Sequence, residues 1–365
     1  MTPTRIEDVP TPAVVVDLDI LERNIETMAS RARDSGVALR PHAKTHKVCE
    51  VGRLQLRAGA VGLTLAKTAE AEVFVDAGFQ DLFLAYPIVG EEKAKRLLAL
   101  SDRARIAVGV DSLEGARTLD RVFRGAGRRL SILLEIDCGL ARTGVLPSDA
   151  PGIAAGIAEL PGLRLCGVFT HAGQAYLAEN AEAAAAVGRD EGESAVRVAR
   201  ELSRAGHSME VVSVGSTPTA KAGMRVQGVT ECRPGTYVYN DASQVSIGSC
   251  TLEECALHIV ATIVSVPARD RAVLDAGSKT LSSDPLWPRP GGHGFLTGRT
   301  SRIARLNEEH GVIAVSPGES FRVGERVAIL PNHACIVSNL HNRIYAARQG
   351  RIEAIWSVAA RGKVE

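Results

Sequence analysis

The segment VALRPHAKTHK, residues 37–47, joins a short apolar run to a polar turn that contains two histidines and two lysines. A short apolar run that lies between a glycine and a proline is typical of a buried strand. If more strands of this kind follow, the polar turn lies at the carboxyl end of a sheet, where functional groups collect. The fold therefore depends on whether this strand-and-turn unit is repeated along the chain.

Seven further apolar runs follow, and stretches rich in Ala, Leu, Glu and Arg separate most of them. The eight runs are VALRP (37–41), VGLTL (61–65), DLFLA (81–85), RIAVGV (105–110), LSILLEI (130–136), LRLCGVFT (163–170), MEVVSVG (209–215) and GVTECRPG (228–235). Eight strands that alternate with helices predict an α/β fold of the (β/α)8 TIM-barrel type. An open, doubly wound sheet is the alternative.

The pattern changes after residue 250, where strand-like runs follow one another with Gly and Pro between them. These runs are LHIVATIVSV (257–266), RAVLDAG (271–277), RVAILP (326–331), RIYAAR (343–348) and IEAIWSV (352–358). They predict a C-terminal all-β domain. We therefore expect a barrel domain over residues 18–250, and a β-domain that combines residues 251–365 with the N-terminal strand region 1–17.

Composition and charge exclude several classes of protein. The 43 basic and 42 acidic residues give a net charge of +1, which offers no reason to expect a nucleic-acid or membrane-surface partner. The opening MTPTRIEDVPTP has no apolar core of a signal peptide, and no apolar run is long enough to cross a bilayer. Seven scattered cysteines without a C-x-x-C pair favour a reducing cytoplasm over a disulfide framework.

Polar or glycine-rich segments follow five of the predicted barrel strands. They are PHAKTHK (41–47), DCGLARTG (137–144), THAGQAY (170–176), GSTPT (215–219) and RPGTY (233–237). Because the carboxyl ends of barrel strands meet at one end of the barrel, we expect these segments to form one site.

Two of these segments have the composition of a phosphate site. Glycine allows backbone N–H groups to approach an anion, and the hydroxyls of Ser216, Thr217 and Thr236 add donors beside Gly235. The loops after strands seven and eight are a common phosphate site in barrels, although two ordinary turns would have the same composition. A phosphate site, a lysine at a strand end and a nearby arginine together suggest pyridoxal phosphate.

In chain order, the segments PHAKTHK, GLARTG, THAGQAY, GSTPT, ECRPGTY and PNHAC resemble the fold-type III pyridoxal-phosphate enzymes. More narrowly, they resemble the D-serine dehydratase and D-threonine aldolase family, which is related to alanine racemase. The resemblance extends from TPAVVVD to PNHACIVSNL, so it covers nearly the whole chain. It implies an alanine racemase-like barrel with a C-terminal β-domain, usually in a head-to-tail homodimer whose site lies at the barrel mouth.

The resemblance also implies a role for individual residues. It implies that Lys44 binds the cofactor covalently, and we expect Lys47 to lie on the following helix. The other implied cofactor contacts are Arg142 with the phenolic oxygen, His171 under the ring, Tyr176 beside it, Arg233 on the pyridine side, and Ser216, Thr217, Gly235 and Thr236 around the phosphate.

A metal site is expected at His333 and Cys335. On an extended segment, residues two apart point to the same side, so both side chains could reach one ion. Thiolate and imidazole ligands suit zinc, with Mn or Mg as alternatives. The H-x-C pattern is weak alone, but in the resembling family this segment carries the metal ligands. The aldolase branch has an aspartate where Cys335 stands, so Cys335 favours a dehydratase.

The sequence thus predicts a pyridoxal-phosphate and metal-dependent lyase that acts on β-hydroxy D-amino acids. A dehydratase of the D-serine type, giving a keto acid and ammonia, is the leading hypothesis, and a D-threonine-type aldolase, giving glycine and an aldehyde, is the alternative. Activity on 3-hydroxy-D-aspartate stays open, as does the effect of Gln174 on substrate choice. A racemase would need a second base such as Tyr345, and a non-catalytic cofactor carrier would need neither the β-domain nor the metal pair.

Overall fold

The structure is a computed structural model that describes residues 3–286, 288 and 291–365. The strands are β1 (Ala13–Asp17), β2 (Ala38–Leu39), β3 (Leu63–Leu65), β4 (Asp81–Leu84), β5 (Arg105–Val110), β6 (Leu130–Glu135), β7 (Leu163–Phe169), β8 (Val211–Val214), β9 (Glu231–Cys232), β10 (Leu257–Ala268), β11 (Arg271–Leu274), β12 (Phe295–Leu296), β13 (Arg302–Leu306), β14 (Gly311–Ala314), β15 (Arg326–Leu330), β16 (Arg343–Arg348) and β17 (Arg351–Ser357). The α-helices are α1 (Leu18–Asp34), α2 (Cys49–Arg57), α3 (Thr68–Asp76), α4 (Glu91–Leu100), α5 (Leu113–Gly125), α6 (Ala150–Ala158), α7 (Ala181–Arg204), α8 (Thr217–Gly223), α9 (Ala242–Ile247), α10 (Ser278–Leu281) and α11 (Ala334–Leu340).

Strands β2 to β9 form a parallel sheet in the order β2-β9-β8-β7-β6-β5-β4-β3. The sheet closes where the chain after β2 meets β3, through a parallel bridge between His42 and Thr64. The Thr64 N–H donates to the Pro41 carbonyl at 2.8 Å across this closure. All eight predicted strands are present, so the predicted (β/α)8 barrel is confirmed and the open-sheet alternative is wrong.

A nearly buried arginine next to β2 forms ion pairs with two other barrel strands. Arg40, directly after β2, donates to Asp81 of β4 and to Glu231 of β9, both at 2.7 Å. Glu231 also accepts a hydrogen bond from the Ser213 hydroxyl of β8 at 2.7 Å. Because β2 and β9 pair over only two residues each, these side-chain bonds add to the backbone hydrogen bonds that connect the first and last barrel strands.

The other strands form a mainly antiparallel sheet in the order β11-β14-β13-β12-β15-β10-β1-β16-β17, and β11 also pairs with β10. Strand β1 lies between β10 and β16, antiparallel to the first and parallel to the second. The five predicted late strands are present. The sequence did not indicate β12 to β14, because they are short and β13 alternates poorly, with Arg302 and Arg305 exposed.

Among the described residues, no helix combines the length and the apolar character that a membrane span requires.

We expect Arg40→Ala to lower the free energy of unfolding by about 3 kcal/mol, because it leaves the Glu231 carboxylate poorly solvated and without its ion-pair partner. The measurement is urea denaturation followed by circular dichroism. Arg103→Ala removes an arginine from an exposed ion pair with Asp76 and is the control, with an expected change below about 1 kcal/mol. Equal changes in the two variants would contradict the structural role of Arg40.

Candidate active site

One cavity at the carboxyl ends of the barrel strands brings together all nine residues that we assigned to the cofactor. They are Lys44, Arg142, His171, Tyr176, Ser216, Thr217, Arg233, Gly235 and Thr236. The same cavity is lined by His42, Thr45, Ala85, Glu135, Phe169 and Gly215. The convergence of the strand ends is therefore a property of the structure, whereas the role of each residue toward a cofactor stays a proposal.

Lys44 lies in a single 3-10 turn, Ala43–Thr45, that follows β2. The His42 ring accepts a hydrogen bond from the Lys44 N–H at 3.4 Å and so caps this turn. Burial lowers the pKa of the Lys44 amine, and the cations Arg142 and Arg233 act in the same direction. A lower pKa increases the share of neutral amine, which is the nucleophilic form.

The prediction that Lys47 lies on the following helix is wrong. Lys47 adopts a left-handed conformation with φ 54° in the turn before α2. Its N–H donates to the Ala43 carbonyl at 2.8 Å, so the chain reverses here before the helix begins at Cys49. The Lys47 amine lies 3.5 Å from the carboxylate of Glu70, and both side chains are largely buried. This ion pair gives Lys47 a structural role.

His171 follows β7 and is neutral. Its Nδ1 lies 3.1 Å from the Gly215 carbonyl oxygen, which can only accept, so Nδ1 carries the proton and Nε2 has a free lone pair. Burial, with the charges of Lys44 and Arg142, lowers the pKa of His171 to about 3. The ring therefore stays uncharged at any physiological pH.

Arg142 reaches the cavity from the loop after β6. The Asp137 carboxylate accepts hydrogen bonds from the N–H groups of Gly139 and Ala141, at 2.9 and 3.1 Å, and fixes the shape of this loop. Ala141 has φ 55°, which turns the chain immediately before Arg142. Gln174 donates to the Cys138 carbonyl at 2.9 Å, so it joins this loop to the one after β7.

Arg233 is buried beneath the cavity. Its Nη1 donates to the Ser213 hydroxyl at 2.5 Å and its Nη2 donates to the Thr170 carbonyl. The rings of Phe83 and Phe169 flank the guanidinium at 5.7 and 5.3 Å. These contacts make Arg233 a fixed cation in the floor of the cavity.

The two glycine-rich segments form one structural unit. Ser216 and Thr219 make a capping box at the start of α8. The hydroxyl of Thr217 accepts a hydrogen bond from the Tyr237 N–H at 3.0 Å, which connects the first segment to the second. A Cβ atom at Gly235 would lie 2.8 Å from the Thr45 hydroxyl, so only glycine fits this close to the Lys44 turn.

Two buried carboxylates belong to the site but were not predicted. Glu135 lines the cavity, accepts from the Thr143 hydroxyl at 2.9 Å, and has one oxygen without a partner among the described residues. Burial raises the pKa of Glu135. Its position as the one charged residue of the run LSILLEI was the available signal.

Glu191 of α7 is the second carboxylate. It accepts hydrogen bonds from the hydroxyls of Thr170 and Thr219, both at 2.9 Å, and from the N–H groups of Ala172 and Gly215, at 3.2 and 3.0 Å. It therefore connects the segment that carries His171 to the segment that precedes Ser216. Its neighbours in the sequence, RDEGE, are mostly charged, so nothing there marked Glu191 as buried.

The expected extended geometry at His333 and Cys335 is wrong. His333 is the N-cap of α11, and Cys335 lies in the first turn of that helix. The reason is the Asp241 carboxylate, which accepts from the Ala334 N–H at 3.0 Å and stabilises a helix start there. The two side chains nonetheless interact, since each alters the pKa of the other: His333 lowers that of Cys335 against the effect of burial.

Cys335 connects this pair to the cavity. Its thiol donates to the Thr45 hydroxyl at 3.2 Å and lies 3.6 Å from the Thr236 hydroxyl, and both residues line the cavity. On the other side, the Nδ1 of His333 lies 2.7 Å from the Asp284 carboxylate. Within the described part of the chain, no group of three or more His, Cys, Asp or Glu side chains could hold a metal, so protein ligands here would number two.

A parallel barrel with a lysine at its mouth and an antiparallel companion sheet defines the alanine racemase class of fold. Residues 16–243 match the family model described as "Alanine racemase, N-terminal domain", and residues 256–347 match "Putative serine dehydratase domain". The chain belongs to the alanine racemase-like family that includes dehydratases and aldolases of D-hydroxy amino acids, and it is therefore a lyase. The predicted family, fold and enzyme class are confirmed.

Two curated relatives span nearly the whole chain. The D-threo-3-hydroxyaspartate dehydratase of Delftia sp. is 37% identical over 344 residues, covering 89% of this chain and 90% of the relative. The D-threonine aldolase of Arthrobacter sp. is 33% identical over 360 residues, covering 97% and 93%. The solved structure of the Delftia sp. enzyme matches with a TM-score of 0.92 at 35% identity, over 97% of this chain and 98% of that one.

We expect Glu191→Ala to lower the free energy of unfolding by about 3 kcal/mol, because it removes the carboxylate that accepts from four buried donors. Glu191→Gln should cost less, since the amide oxygen still accepts. Thermal and urea unfolding provide the measurement. Glu193→Ala, an exposed glutamate two residues further along α7, is the matched control and should change little. A loss in the control as large as that in Glu191→Ala would refute the role of Glu191.

Proposed function

We propose that this chain is a pyridoxal-phosphate and divalent-metal-dependent dehydratase of D-amino acids that carry a β-hydroxyl, with a keto acid and ammonia as products. The observation that carries the proposal is the contact of Cys335 with Thr45, next to Lys44. This contact brings the thiol of Cys335 and the imidazole of His333 close to Lys44, whose pKa is lowered. One substrate could then have its hydroxyl bound by a metal on the pair and its proton accepted by the lysine.

Pyridoxal phosphate is the cofactor expected for this family, and the cavity fits it. Ser216, Thr217, Gly235 and Thr236 supply hydroxyl and backbone groups for a phosphate, and the buried cation of Arg233 lines the same cavity. Lys44 is the amine that would bind the cofactor covalently. When bound, the cofactor supplies an electron sink for charge left at the substrate Cα. The unpaired oxygen of Glu135 also indicates a bound group in the cavity.

The protein residues then have defined tasks. Lys44 Nζ is the base for the Cα proton, since burial and two neighbouring arginines lower its pKa. With the cofactor bound, Arg142 would be a cation for its phenolic oxygen and Tyr176 would pack beside its ring. His171 would pack against the ring as a neutral group, because a protonated imidazole there would oppose the cations around it.

His333 and Cys335 are the proposed metal ligands. Asp284 accepts from His333 Nδ1, which leaves Nε2 free for a metal, as in many carboxylate–histidine–metal arrangements. Thiolate and imidazole favour zinc over Mn or Mg, and two protein ligands leave positions for a substrate hydroxyl. A metal bound there would act as a Lewis acid on the hydroxyl, which is a poor leaving group alone.

Two solved variants of the relative support this assignment. One is a histidine-to-alanine variant of D-threo-3-hydroxyaspartate dehydratase, and the other is a cysteine-to-alanine variant in the metal-free form. The two substituted positions lie two residues apart, as His333 and Cys335 do. They match this chain with TM-scores of 0.92 and 0.91.

Retro-aldol cleavage to glycine and an aldehyde is the second candidate function, and the D-threonine aldolase relative favours it. Both reactions use a lysine, a cofactor and a metal on the β-hydroxyl, so the cavity alone fits either one. The thiol ligand supports elimination. Tyr345, the candidate second base of a racemase, is buried against Val15 and Val260 and does not line the cavity, which favours a lyase.

We also propose that the protein is a cytoplasmic homodimer. Tyr86, Val89, Leu146 and Leu177 are exposed on loops that follow β4, β6 and β7 at the barrel mouth. Exposed apolar side chains near the mouth of a site favour cover by a second copy of the chain. All seven cysteines are unpaired, as expected in a reducing cytoplasm.

Lys44→Ala is expected to remove the visible absorbance of the cofactor-loaded protein and to reduce turnover by about a thousandfold or more, because both the covalent link and the base are lost. Absorbance spectra and a keto-acid assay provide the measurement. Lys95→Ala changes an exposed lysine of α4 and should leave both signals intact. Retained absorbance in Lys44→Ala would mean that another amine binds the cofactor.

The reaction itself is tested by incubating the protein with D-serine, D-threonine and 3-hydroxy-D-aspartate, and measuring keto acid, ammonia, glycine and aldehyde together. We expect keto acid and ammonia in equal amounts, loss of both with a chelator, and recovery with zinc, because the hydroxyl needs a Lewis acid to leave. Glycine with an aldehyde would replace the dehydratase proposal by the aldolase one. Turnover that survives chelation would refute the role of the metal.

A further inference from the structure

We propose that Asp241 is a positioning residue, whose carboxylate sets the geometry of the metal pair His333 and Cys335. This inference rests on the proposed metal role of that pair. Asp241 is 1% exposed and lies between the 3-10 turn Thr236–Val238, which begins at the cavity, and helix α9. It is not a ligand candidate in the proposed function and does not line the cavity.

The two carboxylate oxygens of Asp241 serve two different helices. One oxygen accepts from the Gln244 N–H at 3.0 Å, in the first turn of α9. The other accepts from the Ala334 N–H, also at 3.0 Å, in the first residue of α11. Ala334 stands between His333 and Cys335, so this bond fixes the backbone that carries both side chains.

Further hydrogen bonds act in the same direction. The N–H groups of Ala242 and Ser243 donate to the carbonyls of Pro331 and Asn332, at 3.0 and 3.3 Å. The Asn332 side chain, which is 2% exposed, donates to the Asp284 carbonyl at 3.0 Å. The Asp284 carboxylate in turn lies within hydrogen-bond distance of His333 Nδ1. The backbone of the pair is thus fixed by Asp241, and the imidazole orientation by a residue tied to the same segment.

A carboxylate is needed at position 241 because two N–H donors require two acceptor atoms. An asparagine offers one acceptor oxygen, so an amide NH2 group must face either Gln244 or Ala334. Asp17, the N-cap of α1, is the matched contrast. Among the described residues it accepts from one N–H, that of Ile20 at 3.1 Å, so an asparagine there keeps the bond.

The experiment uses the full-length, cofactor-loaded protein, stripped of metal and titrated with Co²⁺. The thiolate-to-cobalt absorption reports ligation by Cys335, and competition with a chelator gives the dissociation constant. We expect Asp241→Asn to raise that constant about tenfold or more and to change the shape of the cobalt bands at saturation. Asp17→Asn should match the unaltered protein. The visible absorbance of the cofactor linked to Lys44 should be unchanged in both variants.

Asp241→Ser provides a second variant that is expected to fold, since serine is a good N-cap for α9 but cannot also reach Ala334. It should weaken cobalt binding as Asp241→Asn does. Unchanged cobalt affinity and bands in either folded variant would overturn the proposal and leave Asp241 a purely structural residue. Absence of the thiolate band in the unaltered protein, or its persistence in Cys335→Ala, would instead refute the metal site itself, and the inference about Asp241 with it.

Discussion

The closure of the barrel between β2 and β3 is the constraint on which the rest of the site depends. Strand β2 has only two residues, yet the chain after it must reach β3 to complete the barrel. The residues that do so, Pro41 and His42, lie three and two residues before Lys44. The position of the lysine is therefore set by the barrel closure. The ion pairs of Arg40 with Asp81 and Glu231 also stabilise the closure.

The charges around the cavity have a consistent arrangement. Lys44, Arg142 and Arg233 make the cavity cationic, and the neutral His171 adds no further positive charge. Such a cavity favours anionic groups such as a phosphate or a carboxylate. Burial, together with the charges of Arg142 and Arg233, lowers the pKa of Lys44. Contact through Thr45 then connects this cationic cavity to the thiol of Cys335 in α11.

Strand ends were the predictable part of the molecule. The sequence located all eight barrel strands and nine cavity residues, because parallel strands necessarily direct their carboxyl ends to one place. Contacts between distant residues were not predictable. Asp241 caps a helix 93 residues away, and that carboxylate turns the expected extended segment at His333 into a helix start. Glu191 likewise accepts hydrogen bonds from the segments that follow β7 and β8. Strands β12 to β14 are too short to produce a pattern.

The place of β1 between β10 and β16 has a consequence for how the protein is made. A ribosome delivers β1 before the barrel strands, but both of its neighbours only after them. During synthesis this apolar strand must wait, with both backbone edges unpaired, while the barrel emerges. The barrel can fold around its own core in that interval, whereas the second sheet cannot be completed until the last third of the chain has left the ribosome. The first strand of the chain therefore gains both of its partners only when synthesis is nearly complete.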